Sequence, residues 1–314
     1  IKLMVNQKII YLLTSFKKYL LNNGFNCPGC NHNFSILIER KYFITCLRKC
    51  NKCNLLFRTP TVTSSENNKF YQENYSQGYT TDCPNNDLLK KMIENDFKGT
   101  DRDYSRFLEI FKTLKFSDTN DIRLFDYGCS WGYGSYQMKK YFNVSSYEIS
   151  KPRAKYAKEK LNIEVLDDVS LKNLPISDHR FDVFFMSHVL EHLPSPTETI
   201  KFGLSIIKNG GYLISFTPNG SLMNKKVNPK WSQQWGLVHS NFIDEEYYKT
   251  IFKNCKYYIS SHSTLHNQYN LSSNSPALKP YNLEKINKFF FDDNEQSLID
   301  NVEGNELMII AKKI

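Results

Sequence analysis

Apolar and polar positions change rhythm three times along the chain. Val5, Ile9, Leu12, Phe16 and Tyr19 recur at steps of three and four, which predicts an amphipathic helix at the N-terminus. Residues 25–60 carry little apolar material and no helical period. Tyr104, Leu108, Phe111 and Leu114 again share one face of a predicted helix over 101–115. From about residue 120, short apolar runs alternate with amphipathic ones. "IRLFDYG" (122–128) predicts a strand and 133–142 a helix. Residues 144–150 predict a strand, and 152–161 a helix with Pro152 in its first turn. Strands at 163–167 and 181–189 follow, then a helix over 197–208 capped by Gly210 and Gly211. A strand at 211–220, a helix at 244–255 and strands at 256–264 and 305–314 complete the pattern.

Strands alternating with helices predict a doubly wound α/β fold, a parallel sheet covered on both faces. Ligands of such folds bind at the carboxyl ends of the strands, beside the topological switch point. The first strand–turn–helix, "LFDYGCSWGYGS" (124–135), lies there. The expected organisation is an N-terminal helix (1–24), a small ribbon (25–60), a linker and helical lid (61–118) and a main domain (119–314). Within the main domain, 221–242 is an insertion after the fifth strand. "RTPTVTSSENN" (58–68) is rich in turn formers and opens the linker.

Composition narrows the picture. The hydrophobic share of 40% and charged share of 23% are those of an ordinary globular protein. The net charge of +9 rests on 41 basic residues, but only 8 are Arg. Arg is the side chain that forks onto phosphates and bases, so the Lys excess reads first as a solvated surface. No apolar run approaches the ~20 residues needed to cross a bilayer. The apolar stretch 9–13 has no small-residue cleavage site and Lys interrupts its surroundings, which argues against a signal peptide. A cytoplasmic, reducing location is therefore expected. The N-terminal helix is expected to dock on its own protein, with membrane-surface binding the lesser reading.

Four of the eight cysteines form "CPGC" (27–30) and "CNKC" (50–53), spaced C-x2-C-x19-C-x2-C. Two residues between cysteines let both thiolates of a knuckle face one tetrahedral ion, and the intervening stretch can form a strand pair. Cys27, Cys30, Cys50 and Cys53 are thus expected to hold one structural zinc. Cys46 and His32 are poorer substitutes. A structural zinc contributes ~10–16 kcal/mol of apparent folding energy, against ~2–4 for a disulfide.

The glycine turn restricts the ligand. A dinucleotide loop needs G-x-G-x-x-G. Here Ser130 stands two residues after Gly128, and the frame that starts at Gly132 and Gly134 ends in Gln137. No Gly-Lys-Ser/Thr is present, which excludes a Walker A loop. What remains is D-x-G-x-x-x-G, with Asp126 just before the turn. An acid there disfavours phosphate and favours a cation. Glu148, twenty residues after Gly128, ends the second strand, where a carboxylate can accept both hydroxyls of a ribose. A ribose-bearing, cationic, phosphate-free ligand is S-adenosylmethionine.

The motifs "LFDYGCSWGYGSYQMKK", "SSYEIS", "SDHRFDVFFMSHVLEHLPSP" and "GGYLISFTPNG" resemble those of class I S-adenosylmethionine-dependent methyltransferases. More narrowly, the chain resembles bacterial members in which a four-cysteine zinc ribbon precedes the catalytic domain, many of them sugar- and polysaccharide-modifying enzymes. The likeness covers 120–220 and, through the ribbon and "CNLLFRTP", 27–60. Residues 221–304 match loosely, and Ser130 replaces a glycine common in the family. The resemblance implies that Asp126, Gly128 and Gly132 border the methionine moiety and that Glu148 takes the ribose. It also implies that Asp167 or Asp168 lies by the adenine amino group and that Ser187 faces the sulfonium. A polar turn is an equal reading of Asp167 and Asp168.

An alcohol acceptor needs a base in addition to alignment. His188, Glu191 and His192 in "SHVLEH", with His239 in "GLVHSNF", are the candidates. His188 and His192 are four apart and would share a helical face. His239 lies in the stretch that builds the acceptor side in this family, so it is placed first as base or orienting group and His188 next. Trp231, Trp235, Phe242, Tyr247 and Tyr248 fit either an aromatic pocket or core. Three functions follow. The first is methylation of a sugar or carbohydrate-linked small molecule. The second is methylation of RNA gripped by the ribbon's Arg40, Lys41, Arg48, Lys49 and Lys52. The third is a degenerate binding module.

Overall fold

A computed structural model describes residues 2–73, 82–114, 116, 121–174, 180–262, 281–292 and 294–314, with side chains for all of these but 2–7 and 73. The chain opens with helix α1 (Lys2–Leu20) and an antiparallel ribbon of β1 (Ser35–Lys41), β2 (Thr45–Cys50) and β3 (Leu56–Thr59). Three helices follow, α2 (Ser64–Glu73), α3 (Asn86–Glu94) and α4 (Ser105–Thr113). A capping box starts α2: Glu66 N donates to Thr63 Oγ1 (3.2 Å), and Thr63 N donates back to the Glu66 carboxylate (2.8 Å).

The main domain alternates as its periodicity predicts. It runs β4 (Arg123–Tyr127), α5 (Tyr133–Met138), β5 (Asn143–Tyr147), α6 (Lys151–Leu161), β6 (Val165–Leu166), α7 (Asp168–Lys172) and β7 (Phe181–Ser187). It continues through α8 (Pro196–Ile206), β8 (Ile207–Pro218), α9 (Leu222–Val227), β9 (Asn241–Phe242), α10 (Glu245–Ile251) and β10 (Cys255–His262). Last come α11 (Leu283–Phe291), β11 (Ser297–Ile299) and β12 (Glu306–Lys313). The side chain of Val5, on the expected N-terminal helix face, and residues 263–264, at the end of the expected strand 256–264, lie outside what is described.

Eight strands form the sheet, in the order β11-β10-β12-β8-β7-β4-β5-β6. The five from β6 to β8 are parallel, and the chain reverses its direction of growth between β4 and β7. The expectation of a wholly parallel sheet needs correction here. β12 enters antiparallel between β8 and β10, because β11 reaches it through a short connection that crosses the end of β10. An apolar run buried on both faces reads the same in either direction. Successive residues point to opposite layers: Phe125, Phe184, Leu213 and Ile309 pack below the sheet, and Leu124, Phe185, Ile214 and Ile310 above it.

Two local expectations also change. Gly210 and Gly211 do not cap α8, which passes straight into β8 at Ile207. They serve a register shift against β7, where Gly210 takes φ +79° and a Cβ on Gly211 would stand 2.9 Å from the Asp182 carbonyl oxygen. α1 docks through Tyr11, Ser15 and Lys18 instead of through its apolar stripe. Arg58 lies over the Tyr11 ring, and Lys18 bonds the Thr61 carbonyl (2.8 Å) and Glu66. Cation–π and ionic contacts fix the rotation, so Ile9, Leu13, Phe16 and Leu20 face outward.

The ribbon is not a free-standing module. β3 pairs antiparallel with β9, Leu56 opposite Phe242 and Phe57 opposite Asn241, and Arg58 N donates to the Ser240 carbonyl (2.8 Å). Stretches 25–60 and 221–242 therefore share one sheet and one small core of Leu47, Leu56, Trp231, Trp235 and Phe242.

Candidate functional site

At the switch point the chain turns sharply after β4. Gly128 (φ +88°), Ser130 (φ 54°) and Gly132 (φ +86°) all take left-handed backbone. Gly128 N and Cys129 N both donate to the Tyr147 carbonyl, at 2.8 and 3.1 Å, which pins the turn to β5. A Cβ on Gly128 would stand 2.5 Å from Val189 Cγ2, and one on Gly132 2.8 Å from the Ala157 Cβ. The loop is therefore pressed between the segment after β7 and α6, and only glycine fits at both places.

Two buried carboxylates flank this turn. Asp126 accepts a 2.6 Å hydrogen bond from Ser135 Oγ. Burial pushes its pKa up to about 7, with the Ser135 bond opposing and the Glu148 charge adding. Glu148, just past β5, accepts from Ser130 N and Ser150 N, each at 2.8 Å. Burial raises its pKa, against those two bonds and the nearby Arg153 guanidinium, which itself bonds Ser130 Oγ at 2.7 Å. Asp167 caps α7 by accepting from Ser170 N (2.7 Å), and Asp168 accepts from Tyr147 OH (2.7 Å). Asp167 and Ser170 also line a pocket of about 510 Å³ beside Lys158 and Leu166. Ser187 closes β7, half-buried. A second pocket of about 220 Å³ lies under α2, lined by Tyr71, Gln72, Cys83, Ser150 and Arg153. Gln72 Nε2 holds that helix down on the Ile149 carbonyl (2.6 Å).

Beyond β7 comes a cluster of histidines and acids. The expected helical face shared by His188 and His192 does not form, because the backbone is left-handed at His188 (φ 55°) and then makes a 3₁₀ turn at Leu190–His192. His188 Nε2 lies 2.9 Å from Glu306 Oε1 and its Nδ1 3.4 Å from Glu191 Oε1. Burial would lower its pKa, but the two carboxylates outweigh that and raise it to about 10. Arg106 grips Glu306 with two bonds of 2.7 and 2.9 Å, and Tyr281 OH donates at 3.0 Å. Against its burial, these partners and His188 bring Glu306 down to about 2. His192 is kept neutral, its pKa lowered by burial to about 4. Its Nδ1 meets the Val238 carbonyl at 3.1 Å, and His239 Nδ1 meets the Gln234 carbonyl at 2.5 Å. The two rings are 4.7 Å apart, and Tyr71 packs edge-on against His192.

Sequence reasoning missed Arg106, Tyr281 and Glu306. The signal for Glu306 was present: an acid opening the apolar run "ELMIIA" must find a cation once that strand is buried. Of the two readings of Trp231, Trp235, Phe242, Tyr247 and Tyr248, their burial fits core.

The four knuckle cysteines converge. Cys27 and Cys53 sulfurs are 3.5 Å apart, as are Cys30 and Cys50, and all four lie within 4.8 Å of one another. A disulfide needs ~2.05 Å, whereas 2.3 Å zinc–sulfur bonds at tetrahedral angles put sulfurs about 3.8 Å apart. The residues fit a tetrahedral ion. Gly29 N and Lys52 N each reach a knuckle sulfur at 3.4 Å, and Asn31 and Asn54 close the two knuckles in left-handed backbone. Cys46 and His32 stand outside this group. Lys49 pairs with Asp244 (3.1 Å) and Asn54 bonds Thr250 (3.1 Å), tying the ribbon to α10.

A family model described as a methyltransferase domain matches residues 92–261. No curated protein matches the chain. Among solved structures, the chain is similar to a SAM-dependent methyltransferase from Archaeoglobus fulgidus, with 20% identity over 71% of this chain and 99% of that one and a TM-score of 0.43. It is similar to another from Thermotoga maritima, with 18% identity over 72% and 97% and a TM-score of 0.46. The plantazolicin methyltransferase BpumL in complex with SAH shows 15% identity over 79% and 95%, with a TM-score of 0.44.

Proposed function

The chain belongs to the methyltransferase-domain family, and we propose that it methylates a sugar or a carbohydrate-linked small molecule with S-adenosylmethionine as donor. The observation that carries the cofactor reading is the pair Asp126 and Glu148 on either side of a turn that carries no phosphate-binding motif. A buried acid against a glycine turn attracts a cation, and a second acid at the next strand end attracts a diol. In this reading Asp126, Gly128 and Gly132 border the methionine moiety, and Glu148 accepts from the ribose hydroxyls with its remaining lone pairs. Asp167, which lines the larger pocket, takes the adenine side in preference to Asp168, whose carboxylate already holds Tyr147. Ser187 faces the sulfonium.

The bound cofactor supplies an electrophilic methyl group on sulfur. The chain's part is to align the acceptor, which can contribute ~7–11 kcal/mol, and to receive its proton, worth ~10²–10⁴ in rate. His239 suits the role of base or orienting group, since its Nδ1 is committed to the Gln234 carbonyl and its Nε2 is left for a ligand. His188 has one ring nitrogen on Glu191 and the other on Glu306, so its role in this reading is to orient the acceptor side through those two carboxylates.

The four cysteines hold a structural zinc in this reading, in a cytoplasmic setting that keeps them reduced. The ribbon's role is to support β9 and the segment carrying His239. Its basic residues favour this over a grip on RNA: Lys41 is bonded to the Trp235 carbonyl, Arg48 to Ser35 and Lys49 to Asp244. Thermal unfolding with and without S-adenosylmethionine tests the cofactor, and a shift absent in Glu148→Ala supports the assignment. Turnover on nucleotide sugars but not on RNA supports the acceptor class. Zinc-loaded, folded protein that shows no shift overturns the reading in favour of a binding module.

A further inference from the structure

Glu191 is fully buried, and among the described residues neither of its carboxylate oxygens receives a short, well-aligned hydrogen bond. Its nearest cation is His188, at 3.4 Å, which also serves Glu306. A buried carboxylate whose nearest N–H lies as far as 3.4 Å keeps lone pairs available to a further partner. Two imidazoles stand beside it. His192 Nε2 is 3.8 Å from Glu191 Oε1, and one ligand atom from each of Glu191, His192 and His239 lies within 4.8 Å of the others.

The tautomers are fixed from behind. Nδ1 of His192 and Nδ1 of His239 each face a main-chain carbonyl, of Val238 and Gln234, so both must carry hydrogen there. In the neutral ring of that tautomer the lone pair is on Nε2. Metal-binding imidazoles are oriented by such outer contacts, which raise the basicity of the inner nitrogen. Here two imidazoles and a buried carboxylate are brought together from two separate segments.

We propose that Glu191, His192 and His239 form a second metal site, for a divalent first-row transition ion of the zinc or cobalt type. Two bonds of 2.0–2.2 Å at a tetrahedral angle span about 3.4 Å, so the 3.8 Å between His192 and Glu191 closes with a slight turn of either side chain. The nitrogen and carboxylate donors suit such ions and separate the site from the four thiolates of the ribbon. Three protein ligands leave a position open for an oxygen of a bound molecule. With the ion in place His239 is a ligand, so of the two roles given to it above it keeps the orienting one. His188 then supports Glu191 from outside, tied in turn to Glu306 and Arg106.

Metal-free protein titrated with Co²⁺ tests this by absorption and elemental analysis. The expected result is two ions per chain, one with thiolate-to-cobalt charge transfer and one with only weak visible bands. His239→Ala and Glu191→Gln should each reduce the count to one and keep the charge transfer. A melting transition as cooperative as wild type shows that the variants fold. One cobalt per chain in the wild type, or two that survive both substitutions, overturns the proposal. Stabilisation by S-adenosylmethionine is read separately, so failure here is distinct from failure of the cofactor reading.

Discussion

Ser135 Oγ and the Asp126 carboxylate are joined by a 2.6 Å hydrogen bond, both sealed at the base of the glycine turn. The bond is the chief influence lowering an Asp126 pKa that burial has lifted to about 7. Because the folded value lies above the unfolded one, ~3.9, this group's contribution to stability is full below pH ~4 and is lost as pH rises through about 7. A cationic ligand prefers the ionised form. Binding of S-adenosylmethionine should therefore release a proton at pH 6, and affinity should rise up to tenfold per pH unit towards 7 and then level. Calorimetry in two buffers of different ionisation enthalpy measures the proton. Asp126→Asn should flatten the profile, and Ser135→Ala should move its midpoint upward.

Glu148 is predicted to contribute to both binding and folding: Gln keeps an acceptor for only one of Ser130 N and Ser150 N and turns an amide donor on the other, whereas Ala removes both acceptors. Hydrogen bonds to a charged group contribute ~1.5–3 kcal/mol, so Glu148→Gln should weaken S-adenosylmethionine by about 10- to 150-fold. Glu148→Ala also strips Ser130 N and Ser150 N of their acceptor and should lower the melting temperature of the ligand-free protein. Parallel melts with and without ligand separate the two effects.

Cys53→Ser should remove the zinc proposed for the ribbon and reach the proposed acceptor side through the sheet. Loss of a structural zinc withdraws ~10–16 kcal/mol of apparent folding energy. β3 then releases β9, and amide exchange should quicken at residues 240–242 as turnover falls. Elemental analysis with exchange mass spectrometry checks both. Slow exchange at 240–242 in zinc-free protein would break the link.

Gly128 and Gly210 are a controlled pair. Both take left-handed backbone, φ +88° and +79°, but a Cβ would meet Val189 at 2.5 Å in the first and, among the described residues, nothing within 4 Å in the second. Gly210→Ala should cost about 1–2 kcal/mol of backbone strain. Gly128→Ala should add about 1–3 for overpacking, and Val189→Ala should recover that increment alone. Denaturant unfolding of the three variants gives the differences directly.

The strands from β4 to β8 were readable in advance because each is an apolar run bounded by turn residues, and the glycine turn because its acid and glycines are adjacent in sequence. What was not readable depended on distance. Glu306 lies 200 residues from Arg106 and 118 from His188, and nothing local to any of the three announces the others. The face of α1 was misread for a related reason. Apolar periodicity reports where hydrophobic residues lie, whereas Arg58 and Glu66 decided which side was held down. The knuckle cysteines were legible through spacing, but the pairing of β3 with a two-residue strand far downstream was not, since Asn241–Phe242 is too short for any period.

The pairing of β3 with β9 also sets an order of events during synthesis. The ribbon leaves the ribosome early, yet the strand that covers its edge lies about 180 residues later. At 5–20 residues per second that interval is roughly 10–40 s. For that time a row of unpaired main-chain groups on β3 is open to any passing strand. A nascent chain is therefore most exposed to misassembly after its thiols have emerged and before Phe242 arrives to close the edge.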